Sequence, residues 1–153
     1  MIHGVLIVTE QEEPILIRFY DEVDNIKQIV KQLMLYIKLR GKRVTNFIYN
    51  DFGVPYCHAV YKKFEGKYVI IISDDNESEL LCLKVIDSIA TSIIKIVESF
   101  DDTKLIMNIQ TMHLILDNIL CGGIIINYDT NRIINEFKRD TMELENKKIT
   151  RFF

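Results

Sequence analysis

The residues best suited to nucleophilic catalysis or metal binding are few and widely spaced. They are three cysteines and three histidines: Cys57, Cys82, Cys121, His3, His58 and His113. No two cysteines form a C-x-x-C pair, so neither a zinc ribbon nor a thioredoxin-type redox motif is available. An odd number of scattered cysteines favours reduced thiols in a reducing compartment.

Two pairs of residues could bring chemistry to one point. His113 and Asp117 are one helical turn apart in a predicted helix and can hydrogen-bond, although the apolar stripe around His113 favours a packing role. Cys57 and His58 look like two metal ligands, but adjacent strand residues point to opposite faces and cannot easily share a metal. We therefore expect no metal site, no catalytic residues and no enzymatic activity.

Three other motifs have plain structural explanations. Gly122-Gly123 follows a predicted helix and not a strand, so it is expected to end that helix in a left-handed conformation and not to bind phosphate. Asp74-Asp75-Asn76-Glu77 lacks the alternating ligands of a calcium loop and indicates a helix start. A basic cluster closes the first predicted helix: Lys38, Arg40, Lys42 and Arg43. A solvated helix end, favoured by the helix dipole, explains it better than a phosphoinositide site.

The composition is that of one globular domain. The chain has 153 residues, of which 48% are hydrophobic and 27% charged, enough for a single buried core. Its net charge of −3 lacks the basic excess of most nucleic-acid-binding proteins. The first apolar run is too short for a signal peptide, and no run reaches the length of a membrane span. We expect a cytoplasmic protein without cofactors that does not bind nucleic acid.

The first half of the chain is predicted to be mainly β-structure. Five β-branched or aromatic runs indicate strands: residues 3–9, 15–20, 45–49, 57–64 and 68–73. The first two form a predicted hairpin, and a turn at Glu65-Gly66-Lys67 joins the last two. Between these groups, apolar residues at helical spacing predict a helix from Val23 to Gly41.

The second half is predicted to be helical. One helix is expected from the polar start at Asp74 to about Phe100, and a second from Asp101 to the double glycine. A short extended GIIIN segment and a polar helix over Asp129–Glu145 follow. Strands joined by short turns imply an antiparallel sheet whose faces the helices cover, which is an α/β fold. We expect one domain over residues 1–145 and a short tail over residues 146–153.

Several strings together resemble a known family. They are the opening MI-x-x-x-L-I-V, the P-x-L-x-R-F-Y that ends at Tyr20, Thr45-Asn46-Phe47, Val60-Tyr61-Lys62-Lys63-Phe64, the DDNESEL string at Asp74–Leu80, Met112-His113 and Gly122-Gly123. Their order and spacing resemble the small, sigma-type subunits of clathrin-adaptor complexes, closest to the type-3 adaptor sigma. The zeta subunit of the COPI coatomer is the nearest relative and the alternative. The resemblance covers roughly residues 1–137 and implies a longin-like fold, a five-stranded antiparallel sheet flanked by helices.

What the resemblance implies is a scaffolding role in vesicle coats and intracellular protein transport. Such a subunit packs against a large adaptin-type solenoid subunit, delta-type here or gamma coatomer if the chain is a zeta subunit, with beta and medium subunits. It would reach Golgi and endosomal membranes peripherally, through the complex. A longin-type trafficking regulator outside any coat remains a further alternative, although its coiled-coil segment and membrane anchor are not seen before Phe153.

The resemblance also implies a candidate site for acidic dileucine cargo signals. Its matching positions are Lys62, Phe64, Ala90, Ser99, Phe100 and Leu105. Two departures weaken it: the family's usual arginine falls at Ile15, and an expected leucine falls at Lys67, which would place an ammonium group where an apolar wall is needed. Cargo recognition is therefore expected to be weak at most.

A surplus of isoleucine indicates where partners would bind. Isoleucine alone accounts for 26 residues. Either this bulk lies wholly in the chain's own core, or part of it forms apolar faces that partner subunits cover.

Overall fold

A five-stranded antiparallel sheet forms the centre of the protein. The computed structural model describes residues 1–41 and 46–151. The strands run in the order β2-β1-β5-β4-β3, with these bounds: β1 Ile2–Thr9, β2 Pro14–Phe19, β3 Phe47–Ile48, β4 Cys57–Phe64 and β5 Lys67–Asp74. All pairs are antiparallel. The predicted fold class is confirmed, as are the five predicted strands.

Some predicted features lie outside the described residues. They are Thr45 of the third strand, Lys42 and Arg43 of the basic cluster, and the last two residues, Phe152 and Phe153.

Helices cover both faces of the sheet unequally. Among the described residues, helix α1 (Ile26–Arg40) is the one helix on the first face, over a core that includes Leu6, Leu33 and Ile70. The other face carries four helices: α2 Glu79–Val97, α3 Asp102–Met107, α4 Ile109–Asp117 and α5 Thr130–Arg151. We call the two hydrophobic layers the α1-side core and the α2-side core. Alternating strand residues supply them in turn, since successive side chains point to opposite faces.

The predicted single helix from Asp101 to the double glycine is wrong in two respects. It is divided at Asn108, whose backbone N–H is shared between the carbonyl oxygens of Lys104 and Leu105, both at 3.1 Å. It also ends at Asp117, before the glycines. Gly122 and Gly123 instead turn a small hairpin between β6 (Leu120–Cys121) and β7 (Ile124–Ile125).

Helix α5 is longer than its sequence pattern predicts. It runs from Thr130 to Arg151 and so continues past the predicted end at Glu145. Whether residues 146–153 act as a separate tail stays a prediction. Within the described part of the chain, no helix is both long and apolar enough to cross a membrane.

Candidate partner-binding surfaces

The small hairpin β6–β7 presents an exposed apolar face. Both turn glycines have positive φ, 56° at Gly122 and 88° at Gly123, as a two-residue hairpin turn requires. Beyond the turn, successive side chains point alternately toward the core and toward solvent. Ile125 points inward and packs against the α2-side core. The residues on the opposite side are Ile124, Ile126 and Tyr128, with 63%, 54% and 47% of their surface exposed. We call these three residues the apolar ribbon.

The apolar ribbon is held in place by the rest of the molecule. The backbone N–H of Ile2 donates to the carbonyl oxygen of Gly123 at 2.8 Å, which joins the hairpin to the start of β1. The Ser88 hydroxyl of α2 donates to the carbonyl oxygen of Tyr128 at 2.5 Å. A solvent-facing strand is ordinarily polar on its outer face. Three large apolar side chains on a fixed ribbon therefore indicate a surface that a partner covers.

Other exposed apolar side chains lie on separate elements. Ile106 and Met107 close α3 with 59% and 78% of their surface exposed, and Leu35 and Leu39 lie one turn apart on α1 with 47% and 73% exposed. The alternative in which all of the apolar bulk lies in the chain's own core is therefore wrong. Most of this bulk is internal, and a remainder that includes the ribbon, Ile106 and Leu39 faces outward.

Part of the candidate cargo site does come together. The Phe64 and Phe100 rings meet edge to face with their centroids 6.2 Å apart, and the Lys62 ammonium lies 5.5 Å from the centre of the Phe64 ring. Phe100 and Leu105 are buried in the α2-side core, with 2% and 0% of their surface exposed. The apolar members of the candidate site are therefore already packed against the chain's own residues.

The remaining members of the candidate cargo site have structural partners of their own. The Lys62 ammonium pairs with a carboxylate oxygen of Asp87 at 2.7 Å. The Ser99 hydroxyl accepts the backbone N–H of Asp101 at 3.1 Å, just before α3 begins. Ala90 is completely buried within α2.

Lys67 lies against this cluster as a buried cation. Only 5% of its surface is exposed. Its ammonium group lies 2.7 Å from a carboxylate oxygen of Asp102, donates to the carbonyl oxygen of Glu65 at 3.0 Å and lies 5.5 Å from the centre of the Phe100 ring. The ammonium group that the sequence places at this point thus has one carboxylate, one carbonyl and one aromatic face as neighbours.

Ile15 occupies an irregular position in β2. Leu16 pairs with Ile7 and Pro14 pairs with Val8, so Ile15 is the extra residue of a β-bulge. Both Ile15 and Leu16 pack against the α2-side core. Isoleucine offers no charged group to an acidic side chain at this position, and cargo binding through these residues stays a prediction.

The histidines and their neighbours have structural roles. Asp117 accepts a hydrogen bond from the Arg18 guanidinium at 2.5 Å, and Arg18 also donates to the carbonyl oxygen of His113 at 3.1 Å. Arg18 thereby joins β2 to the end of α4. The sequence suggested a hydrogen bond between His113 and Asp117, and the Asp117 carboxylate bonds Arg18. Cys57 packs in the α1-side core, whereas His58 bonds Ser73 on the other face, as strand alternation predicts. Among the described residues no group of three histidine, cysteine or acidic side chains could hold a metal ion.

Comparison with known sequences gives consistent matches over nearly the whole chain. A family model described as the clathrin adaptor complex small chain matches residues 1–143. The AP-3 complex subunit sigma of Dictyostelium discoideum is 29% identical over 153 residues, which cover 96% of this chain and 86% of that protein. The AP-3 complex subunit sigma of Saccharomyces cerevisiae is 30% identical over 151 residues, covering 88% and 77%. The human AP-3 complex subunit sigma-2 is 25% identical over 142 residues, covering 90% and 74%.

A structure of an adaptor complex contains a chain with the same fold. It is described as a homology model of the full-length AP-3 complex in a stretched open conformation. One of its chains matches with a TM-score of 0.74 and 27% identity, over 98% of this chain and 99% of that one. The similarity therefore extends from end to end and is not limited to the sheet.

Proposed function

The chain belongs to the clathrin adaptor complex small chain family, and on that premise we propose that it acts as the sigma subunit of an AP-3 adaptor complex. In this role it stabilises the core of a vesicle coat that transports proteins inside the cell. The observation that carries the proposal is the end-to-end match to one chain of the AP-3 assembly, 98% of this chain against 99% of that one.

The partner of such a subunit is a large adaptin-type subunit, delta-type in this complex, together with beta and medium subunits. The apolar ribbon supports this assignment, because its three half-exposed side chains would be covered by a partner. Covering one large apolar side chain contributes about 1–2 kcal/mol, so three neighbouring ones can anchor an interface. The chain would reach Golgi or endosomal membranes only through the assembled complex.

The role is one of scaffolding and not of catalysis. Arg18 uses the carboxylate of Asp117 and the carbonyl group of His113 to join β2 to α4. His58 is buried and bonded to Ser73. These contacts support a structural role for the Asp117 and His58 side chains.

Recognition of acidic dileucine signals is at most a minor activity of this subunit. A leucine side chain that entered the candidate site would have to displace Phe100 or Leu105 from the α2-side core, or the Lys67 ammonium from its place beside Asp102. Each displacement breaks contacts that the folded chain already makes, so the binding of the signal would be weakened by that cost.

Affinity purification of the tagged chain from its own cytosol, with mass spectrometry of the recovered proteins, tests the proposal. We expect delta-type and beta-type adaptins and a medium subunit in stoichiometric amounts. Recovery of gamma and beta coatomer subunits would instead identify a coatomer zeta subunit. Recovery of a SNARE or a small GTPase without any solenoid subunit would contradict membership of a coat.

A further inference from the structure

Two adjoining cavities flank the loop between β3 and β4, at one end of the sheet. The first, of about 580 Å³, is lined by residues that include Tyr49, Tyr56, His58 and Asp75. The second, of about 400 Å³, is lined by Asp24, Gln28, Gln32 and others of the loop. Asp51 and Gly53 line both, so the two cavities adjoin at the loop of residues 51–56. We call this pair of cavities the loop groove.

The loop groove carries negative charge that is not neutralised within the described structure. Asp24, Asp51 and Asp75 have no lysine or arginine within ion-pair distance among the described residues. The neighbouring carboxylates of Asp74 and Glu77, by contrast, are paired with the α-amino group of Met1 at 2.8 and 3.1 Å.

Groups of both signs lie near the loop groove. Burial and then the negative charges of Asp74, Asp21 and Asp75 raise the pKa of the Cys57 thiol to about 11. The Arg40 guanidinium approaches the same loop from α1 and reaches the side-chain oxygen of Asn50 at 3.5 Å. An anionic ligand such as a phospholipid headgroup would meet the unpaired carboxylates, which repel it.

Two tyrosine rings stand exposed along the loop groove. Tyr49 has 61% of its surface exposed, yet its hydroxyl donates to a carboxylate oxygen of Glu79 at 2.7 Å and its ring lies 5.5 Å from the His58 ring. Tyr56 is 93% exposed and has φ of 59°, a left-handed conformation that is rare for a bulky residue. The Asp51 carboxylate accepts the backbone N–H of Gly53 at 2.9 Å, and neither it nor Asp75 has a lysine or arginine partner among the described residues. Exposed aromatic rings beside such carboxylates are an arrangement that attracts a cation.

His58 provides an independent sign of a missing contact. The residue is 2% exposed, and its Nδ1 atom is buried without a hydrogen-bond partner. Ser73 accepts a weak hydrogen bond from the Cys82 thiol at 3.7 Å and can give its own hydrogen to His58 Nε2, which lies 3.1 Å away. The ring hydrogen then lies on Nδ1. The Asp75 carboxylate is 3.6 Å from Nδ1, too far for a hydrogen bond.

We propose that the loop groove binds an extended basic segment of a partner protein, with an arginine side chain placed between the two tyrosines and the carboxylates of Asp51 and Asp75. Arginine fits better than lysine because its planar guanidinium stacks on aromatic rings and binds carboxylates through two hydrogen bonds. A guanidinium that fixes Asp75 would let this carboxylate close the gap to His58 Nδ1. The amides of Gln28 and Gln32 would bond the main chain of the segment in the second cavity.

Fluorescence anisotropy with the full chain and a labelled peptide of alternating glycine and arginine tests this proposal. A peptide of the same length with citrulline in place of arginine is the matched probe, because citrulline has the same shape without the charge. We expect the arginine peptide to bind at least about tenfold more tightly than the citrulline peptide. The double variant Asp51→Asn, Asp75→Asn should lose about tenfold in affinity, and Tyr56→Ala should lose a similar amount.

A second double variant separates a site from general attraction between opposite charges. Glu143→Gln, Glu145→Gln removes two exposed carboxylates from α5 and is expected to change the affinity less than about twofold. Equal losses in both double variants, equal binding of both peptides, or no binding of the arginine peptide would each overturn the proposal. The measurement needs no other adaptor subunit, so its failure leaves the proposed coat function untouched.

Discussion

Lys67 is a buried cation beside the residues of the candidate cargo site. Its ammonium group is almost fully enclosed, yet it keeps three favourable neighbours: the carboxylate of Asp102, the carbonyl group of Glu65 and the face of the Phe100 ring. A buried cation is tolerated only with such partners. The same partners hold the charge beside the apolar side chains that a dileucine signal would have to contact.

Replacing Lys67 with leucine is predicted to improve the binding of an acidic dileucine peptide by about tenfold, since an apolar wall replaces the charge. Asp102 loses its partner, but its side chain is 51% exposed and can be hydrated, so the fold should remain. Isothermal titration of the purified chain measures the change. Lys63→Leu is the control, because Lys63 is 51% exposed and pairs with Glu10. Unchanged affinity in Lys67→Leu would show that Lys67 does not close the site.

The sequence predicts only part of this arrangement. The resemblance places Lys67 where the family is expected to have a leucine. The sequence does not show that Asp102, far along the chain at the start of α3, would lie within 2.7 Å of it. Nor does the sequence show that the loop after Tyr49 lies near Asp75. Both contacts depend on the direction that α2 takes after the end of β5.

At the scale of elements, the β6–β7 hairpin depends on one glycine much more than on the other. A Cβ atom on Gly123 would lie 2.2 Å from the carbonyl oxygen of Ile2, whereas one on Gly122 would have nothing within 4 Å. The close approach at Gly123 accompanies the hydrogen bond from the Ile2 N–H, which is 2.8 Å long. The hairpin therefore touches the backbone of β1 directly.

We expect Gly123→Ala to lower the free energy of unfolding by about 3 kcal/mol, because backbone atoms must move apart and the residue is strained at positive φ. Gly122→Ala meets only the conformational strain and should cost about 1–2 kcal/mol. Urea denaturation of the two variants and the parent chain measures the difference. Equal losses would mean that the hairpin is not seated on β1 as described.

The spacing of apolar residues does not predict the division between α3 and α4. Leu105, Ile109, Met112 and Leu116 keep helical spacing across the break, so the pattern predicts one helix. Two short helices that pack on the same core give the same pattern. The break depends on Asn108, whose side chain donates to the carbonyl oxygen of Lys104 at 2.8 Å and competes with the helical ladder.

At the scale of the whole molecule, the sheet divides the chain into an α1 side and a heavier α2 side. The sequence predicts this two-sided arrangement because the central strands are apolar at consecutive positions, as at Val5–Val8 and Val69–Ile72, and must therefore bury both faces. It does not predict which apolar residues remain outside. The GIIIN segment has three consecutive isoleucines, so the pattern cannot separate Ile125, which packs inward, from Ile124 and Ile126, which face outward. Only the register of the β6–β7 hairpin assigns them.

Ile126→Asp is predicted to prevent assembly while leaving the isolated chain folded. The side chain is 54% exposed in the chain alone, so an aspartate there stays hydrated and should change the free energy of unfolding by less than about 1 kcal/mol. In an assembled complex the same carboxylate would be buried without a partner, which costs several kcal/mol and should reduce recovery of the large subunit more than tenfold. Asn135→Asp places the same charge on an exposed position of α5 and should leave recovery unchanged. Quantitative co-purification, with urea denaturation of each isolated variant, distinguishes lost assembly from lost folding. Full recovery with Ile126→Asp would exclude the apolar ribbon from the interface, and an equal loss with Asn135→Asp would show that assembly responds to net charge and not to this face.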